Sequence, residues 1–224
     1  MKMRAVPIPI VVLLLLAFPR AAHSESVCVV RMDNQIINPV TARFIIDAIA
    51  EAEAAPHDCV VIELDTPGGL LESTRDVVLK ELNARVPVVV YISPRGARAA
   101  SAGVFITMAS DVAAMAPGTN IGAAHPVSPG GTRDDCGRIL DLEGGKGGRK
   151  ADNAEPSEKE TPGPARGERK DDAAGVMNEK ILNDTVAWIR AIALHRGRNA
   201  EWAARSVRES VSATAEEAVR DGIV

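Results

Sequence analysis

Residues 59–69 read CVVIELDTPGG. Cys59–Leu64 is a short β-branched apolar run, the length and composition of a buried strand, and Asp65-Thr66-Pro67-Gly68-Gly69 ends it at once. Pro67 fixes a backbone dihedral and lacks an N–H, while Gly68 and Gly69 admit conformations closed to other residues and let main-chain N–H groups face outward. Leu70–Leu82 then reads as a helix. A buried strand running through a glycine turn into a helix is the unit from which parallel sheets are built.

The same rhythm continues on both sides. Upstream, Val27–Met32 (VCVVRM) is another strand, and Asn38-Pro39-Val40-Thr41 opens a helix on which Ala42, Ile45, Ile46, Ile49 and Ala50 recur at helical spacing. Downstream, Pro87–Ile92 (PVVVYI) predicts a third strand, Ala99–Ala109 a tightly packed helix of small residues, and Val112–Ala116 a fourth strand. Met177, Ile181, Val186, Ile189 and Ile192 mark a long amphipathic helix reaching about His195, and Asn199–Ser206 and Thr214–Arg220 predict two short ones. The fold class is therefore α/β with a largely parallel core sheet.

Two segments stand apart. Met1–Ser24 has Lys2 and Arg4, the apolar run Ile10–Phe18, then small residues including Ala22 and Ser24, the pattern of a secretory signal peptide. A retained N-terminal anchor is the alternative, against which the apolar run is short of the roughly 20 residues that cross a bilayer. Residues 25–224 would then form one exported domain. Within it, residues 128–172 are dominated by Gly, Pro and charge (GGKGGRK, EPSEKE, TPGPARGERKDD), too polar to offset the entropy of ordering. This predicts a flexible insertion, either a lid or a plain loop.

Composition excludes several classes. Aromatic residues make up 3% of the chain and the formal charge is −4, so neither base stacking nor phosphate neutralisation is provided for, and no nucleic-acid partner is expected. Cys28, Cys59 and Cys136 form no CxxC or other zinc spacing, so no metal is expected.

Three features could carry chemistry. Pro67-Gly68-Gly69 is one. Gly96-Ala-Arg-Ala-Ala-Ser101-Ala-Gly103 is the second: Ser101 falls at a strand-to-helix junction, where a helix N-terminus favours negative charge, or where a serine simply caps the helix. Lys180, expected near the start of the last long helix and facing the insertion, is the third. Asp65 suits a turn or capping role.

Together these residues carry a resemblance. The order strand–DTPGG–helix–strand–GARAASAG–helix–strand–GTNIGAAHPV, with the tail SVSATAEEAVRDGIV, resembles the NfeD-type membrane-associated serine proteases. These are stomatin-operon partner proteins with the ClpP/crotonase-like fold, a spiral of ββα units. The likeness runs from about Val27 to Val224, excluding the insertion. It implies Ser101 as nucleophile, Lys180 as general base, and the N–H groups of Gly69 and Ala102, with Gly68 as a further candidate, as the oxyanion hole. Clp-type relatives place a histidine downstream of their serine, so His125 in GAAHPV is a rival base.

The resemblance further implies a serine endopeptidase that cleaves hydrophobic peptide segments, notably the C-terminal tail of a stomatin-like membrane protein. It implies no cofactor, a homodimer or larger assembly, and an extracytoplasmic, at most peripheral, membrane location. Long relatives continue into transmembrane helices and a small β-barrel; this sequence stops at Val224, which leaves a non-catalytic binding partner of a stomatin-like protein as the alternative.

Overall fold

A computed structural model describes residues 26–55, 57–126 and 168–224, the first seven of the last segment as backbone alone. Four strands, β1 (Val27–Met32), β2 (Cys59–Leu64), β3 (Val88–Ile92) and, after a short β4 (Arg98–Ala100), β5 (Val112–Met115), form a parallel sheet in the order β1-β2-β3-β5. Helices α1 (Pro39–Ala54) and α2 (Leu71–Leu82) make the first two crossovers, and α3 (Ala102–Ala109) precedes β5.

Alternation sorts the strands into two faces. Val30, Met32, Val60, Ile62, Leu64, Val88, Val90 and Ile92 are all buried. The opposite face, with Val27, Val29 and Val112 about half exposed, is open among the described residues. Cys28 and Cys59 lie on adjacent strands, but each pairs with a valine, and their side chains leave the sheet on opposite faces. They do not bridge one another.

A second sheet, β4-β6-β7, comprises β4, β6 (Asn120–Gly122) and β7 (Ser212–Thr214). The C-terminal part consists of α4 (Glu168–His195), α5 (Ala200–Arg208) and α6 (Ala215–Arg220). α4 packs against α3 and α5. Local chemistry sets the helix starts: the Asn38 side chain accepts from the amides of Val40 and Thr41 while the Thr41 hydroxyl accepts from Asn38 N–H, a reciprocal capping box with Pro39 at the first turn.

Several sequence expectations need correction. The helix expected over 99–109 begins only at Ala102, because Arg98–Ala100 is drawn out as β4. Thr66 N–H donates to the Arg98 carbonyl, Ala100 N–H donates to the Thr66 carbonyl, and the same segment pairs with β6. Two three-residue strands, β6 and β7, escaped notice, being too short for any periodicity to register. α4 starts at Glu168, so residues 168–172, assigned to the insertion, are helical, and Lys180 lies well inside α4 rather than near its start. Residues 1–24, expected to be a signal peptide, and residues 128–167 of the expected insertion lie outside the described residues.

Candidate active site

Ser101 stands between β4 and α3 with φ 49° and ψ −105°. A non-glycine residue there is strained by about 1–3 kcal/mol and persists only when its surroundings impose it. They do: Ser101 N–H donates to the Gly122 carbonyl at 3.3 Å, Val104 N–H donates to the Ser101 carbonyl at 3.0 Å, and α3 is buried along its whole length. The alternative reading, a capping side chain, is not what the structure shows, for the Ser101 hydroxyl makes no hydrogen bond among the described residues. It is presented at the mouth of α3, where the helix dipole favours developing negative charge.

The DTPGG turn closes on this serine. Gly68 has φ 125°, and a Cβ placed on it would come within 2.8 Å of Ser101 Cβ, so only glycine fits. Gly69 is pinned against β1's outgoing loop: Ile37 N–H donates to the Gly68 carbonyl and Leu70 N–H to the Ile37 carbonyl. Between these two bonds the Gly69 N–H is left without an acceptor, and so is the Ala102 N–H at the first position of α3, among the described residues. A tetrahedral oxyanion requires two such donors, and Gly69 and Ala102 line one cavity with Ser101. Asp65, expected to serve a turn or capping role, instead ties the turn to β4, its carboxylate accepting the Arg98 backbone N–H at 3.0 Å.

Ser101 and Ala102 line a cavity of about 370 Å³ together with Gly69. Its other walls are mostly apolar, from Leu70 and Leu71 at the head of α2, Phe105 of α3, Ala124 and Pro126, and Ile181 and Thr185 of α4. The floor is braced by Trp188, whose ring stacks on Phe105 with centroids 4.6 Å apart and carries the Arg75 guanidinium 4.4 Å from its own centroid. Arg75 also pairs with Asp184, fastening α4 to α2. Sequence reading missed Leu70, Leu71, Phe105 and Thr185 as cavity residues. A signal existed for the leucines: large apolar side chains directly after a Gly-Gly turn, of which Leu70 remains 53% exposed.

The two candidate bases are placed differently. Lys180 is exposed and does not line the cavity, although the next residue, Ile181, does. The structure does not enclose its side chain in a buried, apolar setting. His125 is also exposed, between Ala124 and Pro126 of the cavity wall. Its Nδ1 lies 2.9 Å from the Val207 carbonyl, which can only accept, so Nδ1 carries the proton and Nε2 is the nitrogen with a lone pair when the ring is neutral. Among the described residues no cluster of His, Cys, Asp and Glu could hold a metal ion.

Residues 26–138 match the sequence profile described as NfeD1b, N-terminal domain. The chain belongs to this family. Its full-length relatives include the membrane-bound protease PH1510 of Pyrococcus horikoshii, 32% identical over 223 residues, covering 99% of this chain and 41% of the relative. Another is the membrane protein NfeD1b of Bacillus subtilis, 31% identical over 114 residues, or 51% of this chain and 25% of that one. The chain thus spans less than half the length of the curated relatives it matches.

Among solved structures it is similar to the 1510-N membrane-bound stomatin-specific protease in a serine-to-alanine mutant, with TM-score 0.65, 30% identity, and coverage of 90% of this chain and 78% of that one. It is equally similar to a lysine-to-alanine mutant of 1510-N in complex with a substrate peptide, with TM-score 0.66, 30% identity, and coverage of 90% and 74%. The α/β architecture is that of the 1510-N protease, and the chain is a homologue of membrane-bound proteases. Among the described residues, no helix is long and apolar enough to cross a membrane.

Proposed function

We propose that the chain is a serine endopeptidase that cleaves hydrophobic peptide segments by way of an acyl-enzyme on Ser101. The observation that carries this is the junction itself: a strained serine whose hydroxyl makes no bond among the described residues, open to a mostly apolar cavity that it shares with Gly69 and Ala102, whose N–H groups have no acceptor there. Ser101 Oγ attacks the substrate carbonyl carbon, and its proton passes to Lys180 Nζ. The oxyanion is received by the Gly69 and Ala102 N–H groups, and the proton is delivered to the leaving amine as the peptide bond breaks. Water then hydrolyses the Ser101 ester by the reverse proton route.

Lys180 takes this proton only in its neutral form. It is next in sequence on α4 to the cavity-lining Ile181. The 1510-N complex with a substrate peptide was obtained with a lysine replaced by alanine, which supports a lysine in this role. The apolar walls suit a hydrophobic peptide, and relatives named as stomatin-specific point to the apolar tail of a stomatin-like membrane protein as substrate. Export through the 1–24 signal, peripheral membrane association and a homodimeric or larger assembly complete the proposal.

One observation favours a second base: the Nδ1 bond to Val207 leaves His125 Nε2 available beside the cavity wall. The test is cleavage of a hydrophobic stomatin-tail peptide by the full chain and its Ser101→Ala, Lys180→Ala and His125→Ala variants. Loss of about 10⁴-fold or more in kcat is expected for Ser101→Ala and Lys180→Ala, with His125→Ala active. Loss with His125→Ala and not Lys180→Ala assigns the base to His125. Undiminished cleavage by Ser101→Ala refutes the nucleophile, and peptide bound but uncut by the wild type leaves a binding module.

A further inference from the structure

Thr66 is wholly buried in the DTPGG turn and uses nearly every bond it can make. Its hydroxyl donates to the Gln35 carbonyl at 2.6 Å and accepts the Gly68 N–H at 3.1 Å. Its main chain is bracketed by β4: Thr66 N–H donates to the Arg98 carbonyl at 2.8 Å, and the Thr66 carbonyl accepts Ala100 N–H at 3.1 Å. Its methyl group fills the space beside Gly103 in the first turn of α3, where an added Cβ would meet Thr66 Cγ2 at 2.8 Å.

One residue thus touches the three pieces whose relative placement defines the site. The hydroxyl holds Gly68, which lies against Ser101, and Gly68 directly precedes the Gly69 donor. The backbone holds β4, whose last residue precedes Ser101. The methyl sets the lie of α3, which supplies the Ala102 donor. We propose that Thr66 is a positioning residue for transition-state stabilisation: its hydroxyl fixes the Gly69 N–H relative to Ser101. This inference rests on the acyl-enzyme reading above.

Without the hydroxyl, Gly68 N–H loses its acceptor inside a buried turn, and the turn must shift to find another. Donors act on an oxyanion only when aimed at where charge develops, and a misplacement of about 1 Å costs about 10²-fold in rate. Binding of the peptide side chains by Leu71, Phe105 and Ile181 does not depend on this aim. The effect therefore falls on kcat and on acylation, with KM little changed.

The experiment compares the full chain with Thr66→Val, which keeps the shape and loses the hydroxyl, and Thr66→Ser, which keeps the hydroxyl and loses the methyl. The readouts are the rate constant for labelling of Ser101 by a fluorophosphonate, kcat and KM on a hydrophobic peptide, and the thermal midpoint. Thr66→Val is expected to label about 10- to 100-fold more slowly at a temperature where it is fully folded, with KM within about twofold of wild type. Thr66→Ser is expected to recover to within about threefold.

A Thr66→Val variant that is less stable yet labels at the wild-type rate overturns the inference and leaves Thr66 a packing residue. An equal loss in Thr66→Ser does the same, because it assigns the effect to the methyl. Should Thr66→Val fail to fold, Thr66→Cys, with a weaker donor of similar size, takes its place, and a wild-type labelling rate there is equally decisive. A wild type that no fluorophosphonate labels overturns the acyl-enzyme reading itself, and this inference with it.

Discussion

Ser101→Gly is expected to make the protein more stable while abolishing its chemistry. The backbone at Ser101, φ 49° and ψ −105°, costs an ordinary residue about 1–3 kcal/mol and costs glycine almost nothing. Against this, glycine enlarges the conformational freedom of the unfolded chain by about 0.4–1 kcal/mol. Mid-range values of the two terms leave a net gain of about 1.3 kcal/mol, or about 3–5 °C in Tm for a domain of this size. Ser101→Ala is the control. It removes the same unbonded hydroxyl but keeps the Cβ and the strain, so its stability stays within about 0.5 kcal/mol of wild type. Thermal unfolding of the three proteins by circular dichroism, with fluorophosphonate labelling to show that both variants are dead, separates the terms. A Ser101→Gly midpoint at or below that of Ser101→Ala would refute the claim that strain is stored at the nucleophile.

Two further outcomes are expected. Glu81 on α2 is 1% exposed and neither carboxyl oxygen has a hydrogen-bond partner among the described residues. Burial pushes its carboxyl well above the usual carboxylate range; nearby Arg196 and Arg198 pull it back in part, and Asp111 adds to the rise. The folded state therefore holds this proton more tightly than the unfolded state. Its contribution is fully present at pH below the ordinary carboxylate range and is lost as pH rises toward the elevated folded value. Glu81→Gln should flatten that part of the pH profile in urea unfolding; an unchanged slope would clear Glu81 of the effect. Gly69→Ala would place a Cβ 2.0 Å from the Ile37 carbonyl oxygen and force the two bracketing backbone bonds apart. A loss of about 2–6 kcal/mol follows from overpacking plus two hydrogen bonds, measured by the same unfolding assay, and wild-type stability would show that the loop gives way freely.

The sheet was legible because burial on one face and β-branched runs leave a strong local signal: β1 and β2 have the boundaries read from VCVVRM and CVVIEL. The helix ends were legible where caps announce them, as at Asn38 and Thr214. What failed was set by partners distant in sequence. ARAAS has the composition of a helix start, but Arg98–Ala100 is extended because Thr66 and β6 claim its hydrogen bonds. β7 exists because β6 offers it an edge. At the site, Ser101 and the Gly-Gly turn could be read because the turn chemistry and the strand-to-helix junction are local. The cavity's apolar walls come from α2, α3 and α4, and no local pattern says that Leu71, Phe105 and Ile181 meet.

The stack beneath the cavity also supplies an optical handle. The chain has two tryptophans. Trp202 is sequestered in α5, whereas Trp188 is sandwiched between the Arg75 guanidinium and Phe105, and Phe105 is itself a wall of the cavity. A side chain entering that space presses on Phe105 and so on the indole behind it, altering the polarity and the cationic contact that set its emission. Occupancy of the site is thereby written into the intrinsic fluorescence of the unlabelled protein, with Trp202 as the steady internal reference.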